Sequence, residues 1–308
     1  MPSDGHKQYA VADVVPETQL ADMVVGDDKH ALCRGFRLTP QIIDRFKNWG
    51  VTGLPIRGPG FKNDPTPTGD AWEENYELSV GMLRRSFEVT RNGQELPTKE
   101  VHEITNQCLE SLLTSSNVKK ALQALRRFDD YTFYHSVNVG IIAGILGRWL
   151  GYKRPALEEL VLGGLLHDVG KTQLPLAIVN KAGKLTAAEL RLMRQHPLLG
   201  YELIKGFTDL PRSTQAIVLQ HHERQDGSGY PYGCTGDKIH TFAKIVAIAD
   251  FYDAITSDRV YRRRLVPLKA VRLLEGLLDK FDPTILTTFL CNIRACFVGC
   301  LVRLADGR

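Results

Sequence analysis

Residues 160–171 constrain the chain most; they read Leu-Val-Leu-Gly-Gly-Leu-Leu-His-Asp-Val-Gly-Lys. An apolar run with two small residues suits a helix packed deep in a core. It delivers His167 and Asp168 where solvated side chains are not expected. A buried pair of this kind needs a partner, and a metal ion is the obvious one. A neutral imidazole offers one nitrogen ligand, whereas a carboxylate has two oxygens and can span two cations. His-Asp is therefore a compact start to a two-metal site. Gly170 reads as the end of the helix, and Lys171 as standing near the pocket mouth. Taken alone, the pair is equally an ordinary hydrogen-bonded couple, so the rest of the chain decides.

The length of 308 residues suits one large domain, or a large one and a small one, with ample apolar content for a core. A net charge of +4, from 39 basic and 35 acidic residues, gives no support to a nucleic-acid polymer as partner. Any anionic ligand must be read from local sites. The six cysteines form no CxxC pair, and Met-Pro-Ser-Asp-Gly-His at the start shows no charged-then-apolar export pattern. The expectation is a cytoplasmic protein with reduced thiols. The apolar stretch 285–302 is interrupted by Asn292 and Arg294, which favours a buried helix over a bilayer span. No membrane anchor is expected.

Along the chain, Val11-Ala-Asp-Val-Val, Met23-Val-Val-Gly and Gly53-Leu-Pro-Ile look like short strands. Between them, Thr39-Pro-Gln-Ile-Ile-Asp-Arg-Phe-Lys-Asn-Trp-Gly carries an N-cap, an early proline and a terminal glycine. Residues 58–70, rich in Gly, Pro, Asn, Asp and Thr, read as a linker. From Trp72 onward helical periodicity dominates. Helices are expected over 82–91, 98–128 with a pause near 114–117, 134–150, 157–166, 187–195, 200–205, 211–222, 241–256, 267–280 and 283–297.

Polar residues recur inside this helical region in unusual places. His135 sits on a helix whose other faces are apolar. His196 precedes Pro197 at a helix junction, and His221 and His222 end an apolar helix. Each by itself is best read as a core or surface histidine. Asp250 ends the almost wholly apolar run Ile245-Val-Ala-Ile-Ala-Asp, where an unpaired carboxylate is costly and calls for a cation or several donors. His135, His167, His196, His221 and His222 are thus the candidate nitrogen ligands.

The sequence His167-Asp168, the following Lys171, and His221-His222-Glu223 through Asp226-Gly-Ser-Gly-Tyr-Pro resemble the HD-GYP subgroup of the HD phosphohydrolase superfamily. The likeness runs from about Thr98 to the C-terminus. It implies a mainly all-α, HD-type helical domain over 98–308; with a connecting segment over 71–97 and the small α+β N-terminal module and linker that the strand and helix signals give over 1–70, the fold expected is α+β overall. The resemblance further implies a metal-dependent phosphodiesterase that hydrolyses cyclic di-GMP to linear pGpG, or on to GMP, by attack of a metal-bridged hydroxide. Carried over by position, His135, His167, Asp168, His196, His221, His222 and Asp250 become metal ligands, with Asp168 the bridge. The cofactors implied are divalent iron or manganese. Three-metal members of the family carry a Glu where this chain has Tyr131, so two metal ions are expected.

Asp168 and Lys171 are the catalytic candidates on this reading. Lys171, Tyr230, Arg259 and Arg262 are the substrate-binding ones, although Val260 replaces the family's proline beside the arginines. Asp253 is expected to support the ligands by hydrogen bonding, and Asp226 and Gly227 to shape the Gly-Tyr-Pro loop. Without their family context, Lys171 is a solvated cation, Tyr230 a turn aromatic, and the arginines a solvated face. Three readings stay open beside the cyclic di-GMP hydrolase. They are a catalytically weak receptor or interaction module for cyclic di-GMP, a phosphodiesterase for another cyclic dinucleotide such as cyclic GMP-AMP, and hydrolysis of other nucleotides, which leaves the Gly-Tyr-Pro loop unexplained. A diguanylate cyclase domain and a homodimer are the candidate protein partners. Residues 1–70 hold no receiver-type acidic cluster, so phosphorelay control is not expected.

Overall fold

The structure, a computed structural model, describes residues 7–10, 24–25, 31–32, 53–56, 69–114, 131–257, 265 and 267–297. The chain divides into two compact units, residues 1–65 with 295–308, and residues 66–294. In the first unit, β1 (Lys7–Ala10) pairs antiparallel with β4 (Gly53–Ile56), and β2 (Val24–Val25) with β3 (Ala31–Leu32). β4 coincides with the expected Gly53 run and β2 lies inside the Met23 run. The expected strand at 11–15 and helix at 39–50 lie outside the described residues. Four short strands do not establish the expected α+β module, and the fold is mainly helical.

The second unit begins with α1 (Gly69–Arg91), which starts 13 residues before the expected helix at Met82. Trp72, Tyr76, Val80, Leu83 and Phe87 recur on one face, and the last four of these are buried. Most of the segment expected to connect domains, 71–97, is therefore packed helix. It lies on α2 (Thr98–Thr114), whose Val101, Ile104, Thr105 and Leu109 are buried. The remainder of the helix expected to reach 128 is outside the described residues.

At the centre are α3 (Tyr131–Trp149), α4 (Arg154–Leu166) and α9 (Thr241–Thr256). Residues 135–147 of α3 are all buried, so this helix is apolar around its circumference and must be enclosed by others. Its crossing with α4 requires small residues on both helices. A Cβ at Gly164 would meet Gly140 Cα at 2.6 Å. Large side chains such as Ile142, Leu146 and Leu160 are fully buried here, each contributing roughly 1.5–3 kcal/mol by leaving water.

The short α5 (Leu176–Val179) and α6 (Ala187–Met193) lead to α7 (His196–Ile204) and α8 (Arg212–Gln220). α8 packs on α4, α7 and α9. After α9 come α10 (Pro267–Glu275) and α11 (Pro283–Phe297). Among the described residues no helix is long and apolar enough to cross a membrane.

Candidate metal centre

Four secondary-structure ends and two helix interiors meet at one buried point. α4 stops at Leu166, leaving His167 at its C-cap and Asp168 at the head of a 3₁₀ turn, Val169–Gln173. Gly170 therefore does not end the helix. It serves close approach instead: a Cβ there would meet the His196 carbonyl oxygen at 1.9 Å and the Gly200 nitrogen at 2.4 Å. This contact sets the turn directly against the start of α7, which His196 opens. His221 caps α8 and His222 follows it, while His135 and Asp250 come from the interiors of α3 and α9. His135, His167, Asp168, His196, His221 and Asp250 are all buried, and His222 is partly so.

Asp168 stands between two sets of imidazoles. Its Oδ1 lies 3.2 Å from His196 Nε2 and 3.9 Å from His221 Nε2. Its Oδ2 lies 3.3 Å from His167 Nε2 and 3.8 Å from His135 Nε2. Asp250 repeats the pattern, with Oδ1 at 3.1 Å from His135 Nε2 and Oδ2 at 3.9 Å from His222 Nδ1. The donor atoms fall into two groups of metal-binding dimensions: Asp168, His196, His221 and His222; and His135, His167 and Asp250.

Behind the site, the other ring nitrogen of four histidines is committed. His167 Nδ1 meets the Gly164 carbonyl at 2.7 Å, and His196 Nδ1 the Met193 carbonyl at 2.8 Å. His221 Nδ1 meets the Ile217 and Val218 carbonyls at 3.2 and 3.0 Å, and His135 Nδ1 meets Asp253 Oδ2 at 2.7 Å. Carbonyl and carboxylate oxygens only accept, so each Nδ1 carries a proton, and the Nε2 atoms of His167, His196 and His221 present lone pairs to the site. His196 Nε2 and His221 Nε2 then face each other at 3.2 Å with no proton between them. His167 Nε2 and Asp168 Oδ1 are buried and make no hydrogen bond. Opposed lone pairs and orphaned acceptors are unfavourable unless a cation sits among them. Imidazole nitrogen and carboxylate oxygen suit a divalent transition metal, so the donor set fits.

The electrostatics agree. Burial acts to raise the Asp168 and Asp250 carboxyls. For Asp168 it is outweighed by the Lys171 charge and the His167 and His196 imidazoles, and for Asp250 by His135, so both stay well below the usual carboxylate range. Burial lowers His196 to about 4, and takes His221 and His222 well below the ordinary imidazole value. His135 differs. Burial pulls it down, yet hydrogen bonds and charge from Asp250 and Asp253 raise it to about 9. A proton on His135 and a cation beside it answer the same excess of negative charge.

The mouth of the site is shaped by the residues after His222. The Glu223 carboxylate is buried and accepts from the backbone N–H groups of Tyr232 at 2.8 Å and Cys234 at 2.9 Å, which ties down the Gly-Tyr-Pro loop. Asp226 accepts from the Ser228 backbone at 2.9 Å, and Gly227 takes a positive φ of 77°. These contacts lay the Tyr230 ring over His222, with centroids 4.6 Å apart. Arg194 covers the same tyrosine at 5.3 Å. Lys171 donates to Asp168 Oδ2 at 2.5 Å from a side chain still 24% exposed, where it can also meet a ligand. Sequence reasoning assigned no work to Glu223, Arg194 or Asn138. The first was legible only as part of a motif, and the other two carry no motif signal. Arg259, Arg262 and the side chain of Tyr131 lie outside the described residues.

Comparison with known proteins agrees with this architecture. A family model described as HD domain matches residues 107–285. A cyclic di-GMP phosphodiesterase of Pseudomonas aeruginosa is 35% identical over 262 residues, covering 83% of this chain and 63% of that protein. The cyclic di-GMP phosphodiesterase response regulator RpfG of Xanthomonas campestris pv. campestris is 31% identical, with 83% of this chain and 75% of that protein covered. The chain thus spans somewhat under two thirds of the first relative and three quarters of the second. A solved HDG"Y"P protein of Bdellovibrio bacteriovorus shares the fold at a TM-score of 0.59 and 16% identity, over 94% of this chain and 99% of its own. With its buried His-Asp centre and its Gly-Tyr-Pro loop, the chain belongs to the HD-domain family, in the HD-GYP branch.

Proposed function

We propose that this protein is a metal-dependent phosphodiesterase that hydrolyses cyclic di-GMP to linear pGpG. The observation that carries the reading is Asp168, whose two oxygens each face a separate pair of histidine nitrogens. Two divalent ions, iron or manganese, would be held by Asp168, His196, His221 and His222 on one side and by His135, His167, Asp250 and the second Asp168 oxygen on the other. When bound, such ions acidify water near neutral pH and neutralise charge gathering on phosphate oxygens.

The chain's own residues supply position. Asp168 holds the two halves of the centre in register. Lys171 reaches from the 3₁₀ turn to a non-bridging phosphate oxygen, exchanging part of its bond to Asp168 for one to the ligand. Tyr230, kept neutral because burial and the charges of Asp250 and Asp168 raise its phenol above the ordinary value, offers a donor and a flat ring to the nucleotide. Arg259 and Arg262 are assigned to phosphate or guanine by their place in the motif. The reaction belongs to the helical domain of the chain, residues 1–70 form a small α+β module that precedes it in sequence, and the setting is cytoplasmic. Curated relatives that act on cyclic di-GMP, at 35% and 31% identity, support the substrate. A second reading is supported by a 3'3'-cGAMP-specific phosphodiesterase of Vibrio cholerae, 30% identical over 68% of this chain, and makes cyclic GMP-AMP the substrate.

Anaerobically purified protein, assayed for iron and manganese and then incubated with each dinucleotide, tests both readings. Two metals per chain and linear product from cyclic di-GMP, lost in Asp168→Ala, is the expected result. Product from cyclic GMP-AMP alone would move the conclusion to the second reading. Full metal and tight dinucleotide binding without product would overturn both.

A further inference from the structure

We propose that α1, which lies outside residues 107–285 matched by the HD model, is a positioning element of the metal centre that grips it at two points. The inference rests on the metal-dependent reading above. The first grip is a chain of buried hydrogen bonds. Tyr76 donates its hydroxyl to Asn138 Oδ1, and Asn138 Nδ2 donates to Asp253 Oδ1 at 2.8 Å. Asp253 Oδ2 then accepts from His135 Nδ1 at 2.7 Å. Tyr76, Asn138, Asp253 and His135 are each no more than 5% exposed. Ser257 adds a second donor to Asp253 Oδ1 at 3.0 Å.

The polarity of this chain matters. An amide presents its oxygen on one side and its nitrogen on the other; the Asp253 carboxylate only accepts, so it takes the Asn138 nitrogen, and the hydroxyl that Tyr76 donates to Oδ1 holds the amide in that orientation. With the amide reversed, two oxygens would face one another, and the carboxylate that sets the His135 tautomer would shift. Burial, and after it the charge of Asp253, raises the Tyr76 phenol well above its ordinary value, so it remains a donor throughout the working pH range.

The second grip is at the last residue of the helix. Arg91 donates from Nη2 to the Lys171 carbonyl and from Nη1 to the Leu174 carbonyl, each at 2.8 Å. Its planar fork spans the 3₁₀ turn that begins after Asp168 and carries Lys171. Tyr76 and Arg91 are 15 residues apart, about 22 Å of helix at the standard rise. One rigid rod therefore reaches His135 at one place and the Asp168 turn at another.

The test is a titration of metal-stripped, full-length protein with Mn²⁺, followed by electron paramagnetic resonance of the free ion, alongside kcat and KM on cyclic di-GMP. Tyr76→Phe removes one hydroxyl and should weaken binding of one Mn²⁺ equivalent about tenfold, in the range usual for partners behind a ligand. Ser86→Ala removes a buried hydroxyl from the same helix, one bonded to Met82 and Glu100. It should leave Mn²⁺ affinity unchanged, which separates positioning from a general loosening of α1. Arg91→Gln should lower kcat more than it raises KM, and Arg91→Lys should recover part of the loss.

Wild-type Mn²⁺ affinity and kcat in Tyr76→Phe would overturn the inference, as would equal weakening in Ser86→Ala. Wild-type protein that takes up Mn²⁺ but leaves cyclic di-GMP intact would sink the hydrolase reading instead. The Mn²⁺ affinity of Tyr76→Phe would still decide the role of α1. Wild-type protein that takes up no Mn²⁺ would overturn both.

Discussion

His135 and His196 stand on either side of the same carboxylate, yet each is held from behind by a different kind of partner. His196 gives its Nδ1 proton to the Met193 carbonyl, a group of the main chain. His135 gives its proton to the Asp253 carboxylate, a side chain with three further dependants in Asn138, Ser257 and, through Asn138, Tyr76. A carboxylate behind an imidazole makes the ring more basic than a carbonyl does. The two histidines are also displaced in opposite directions: against the pull of burial, hydrogen bonds and charge from Asp250 and Asp253 raise His135 to about 9, whereas burial lowers His196 to about 4. A backbone-held ligand cannot be undone by substituting its support. A side-chain-held ligand can be tuned, and can be lost.

The largest effect expected is from Asp168→Asn, which strikes both sides at once: metal analysis should find neither equivalent retained, and turnover should vanish. Retention of one full equivalent would show that the sides are independent. Next comes Asp253→Asn, which should weaken metal binding by about 10- to 100-fold on the His135 side only, read as one strong and one weak step in a Mn²⁺ titration. Two equally weakened steps would erase the distinction between the sides.

Glu223→Gln tests whether the loop is separable from both. The exchange removes a charged acceptor from two backbone N–H groups, a loss of about 1.5 kcal/mol or more. It should raise KM about tenfold with both metals kept, and loss of metal would place Glu223 within the centre.

The smallest effect is in metal-free protein. The ordinary imidazole value is about 6.5. The contribution of His135, raised to about 9, is full below that and is lost as pH rises through about 9. His196, lowered to about 4, acts in the opposite sense. The unfolded imidazole protonates first, so stability falls as pH drops from about 6.5 toward 4. Urea midpoints against pH for His135→Asn and His196→Asn should each lose one of these slopes, and the same slope lost in both would contradict the contrast.

Much of the helical frame was legible because its signals are local. The spans of α9 and α11 coincide with the expected ones, since each follows a turn and runs to the end of an apolar stretch. The histidines and carboxylates were legible by contrast, as titratable groups in apolar surroundings. What was not legible depends on packing between distant segments. The composition of 58–70 hid the start of α1, the expected start at Met82 left Tyr76 outside the helix, and helical periodicity gave Arg91 no partner. Those residues meet partners 62 and 80 positions away. The assignment of one Asp168 oxygen to each set of histidines likewise follows from how α3, α7 and α8 converge on the turn, which no spacing within α4 could reveal.

The contact at Gly170 has a bearing on how such a sequence can change over generations. Main chain lies against main chain there, with a hypothetical Cβ falling 1.9 Å from the His196 carbonyl oxygen. No side chain cushions the gap between the Asp168 turn and the helix that presents His196. Hydrophobic exchanges elsewhere in the interior, the commonest form of drift, are absorbed by rotamers and leave this spacing alone. A single added methyl at position 170 has nowhere to go and must push the two segments apart. The centre is robust to gradual repacking and brittle at one carbon.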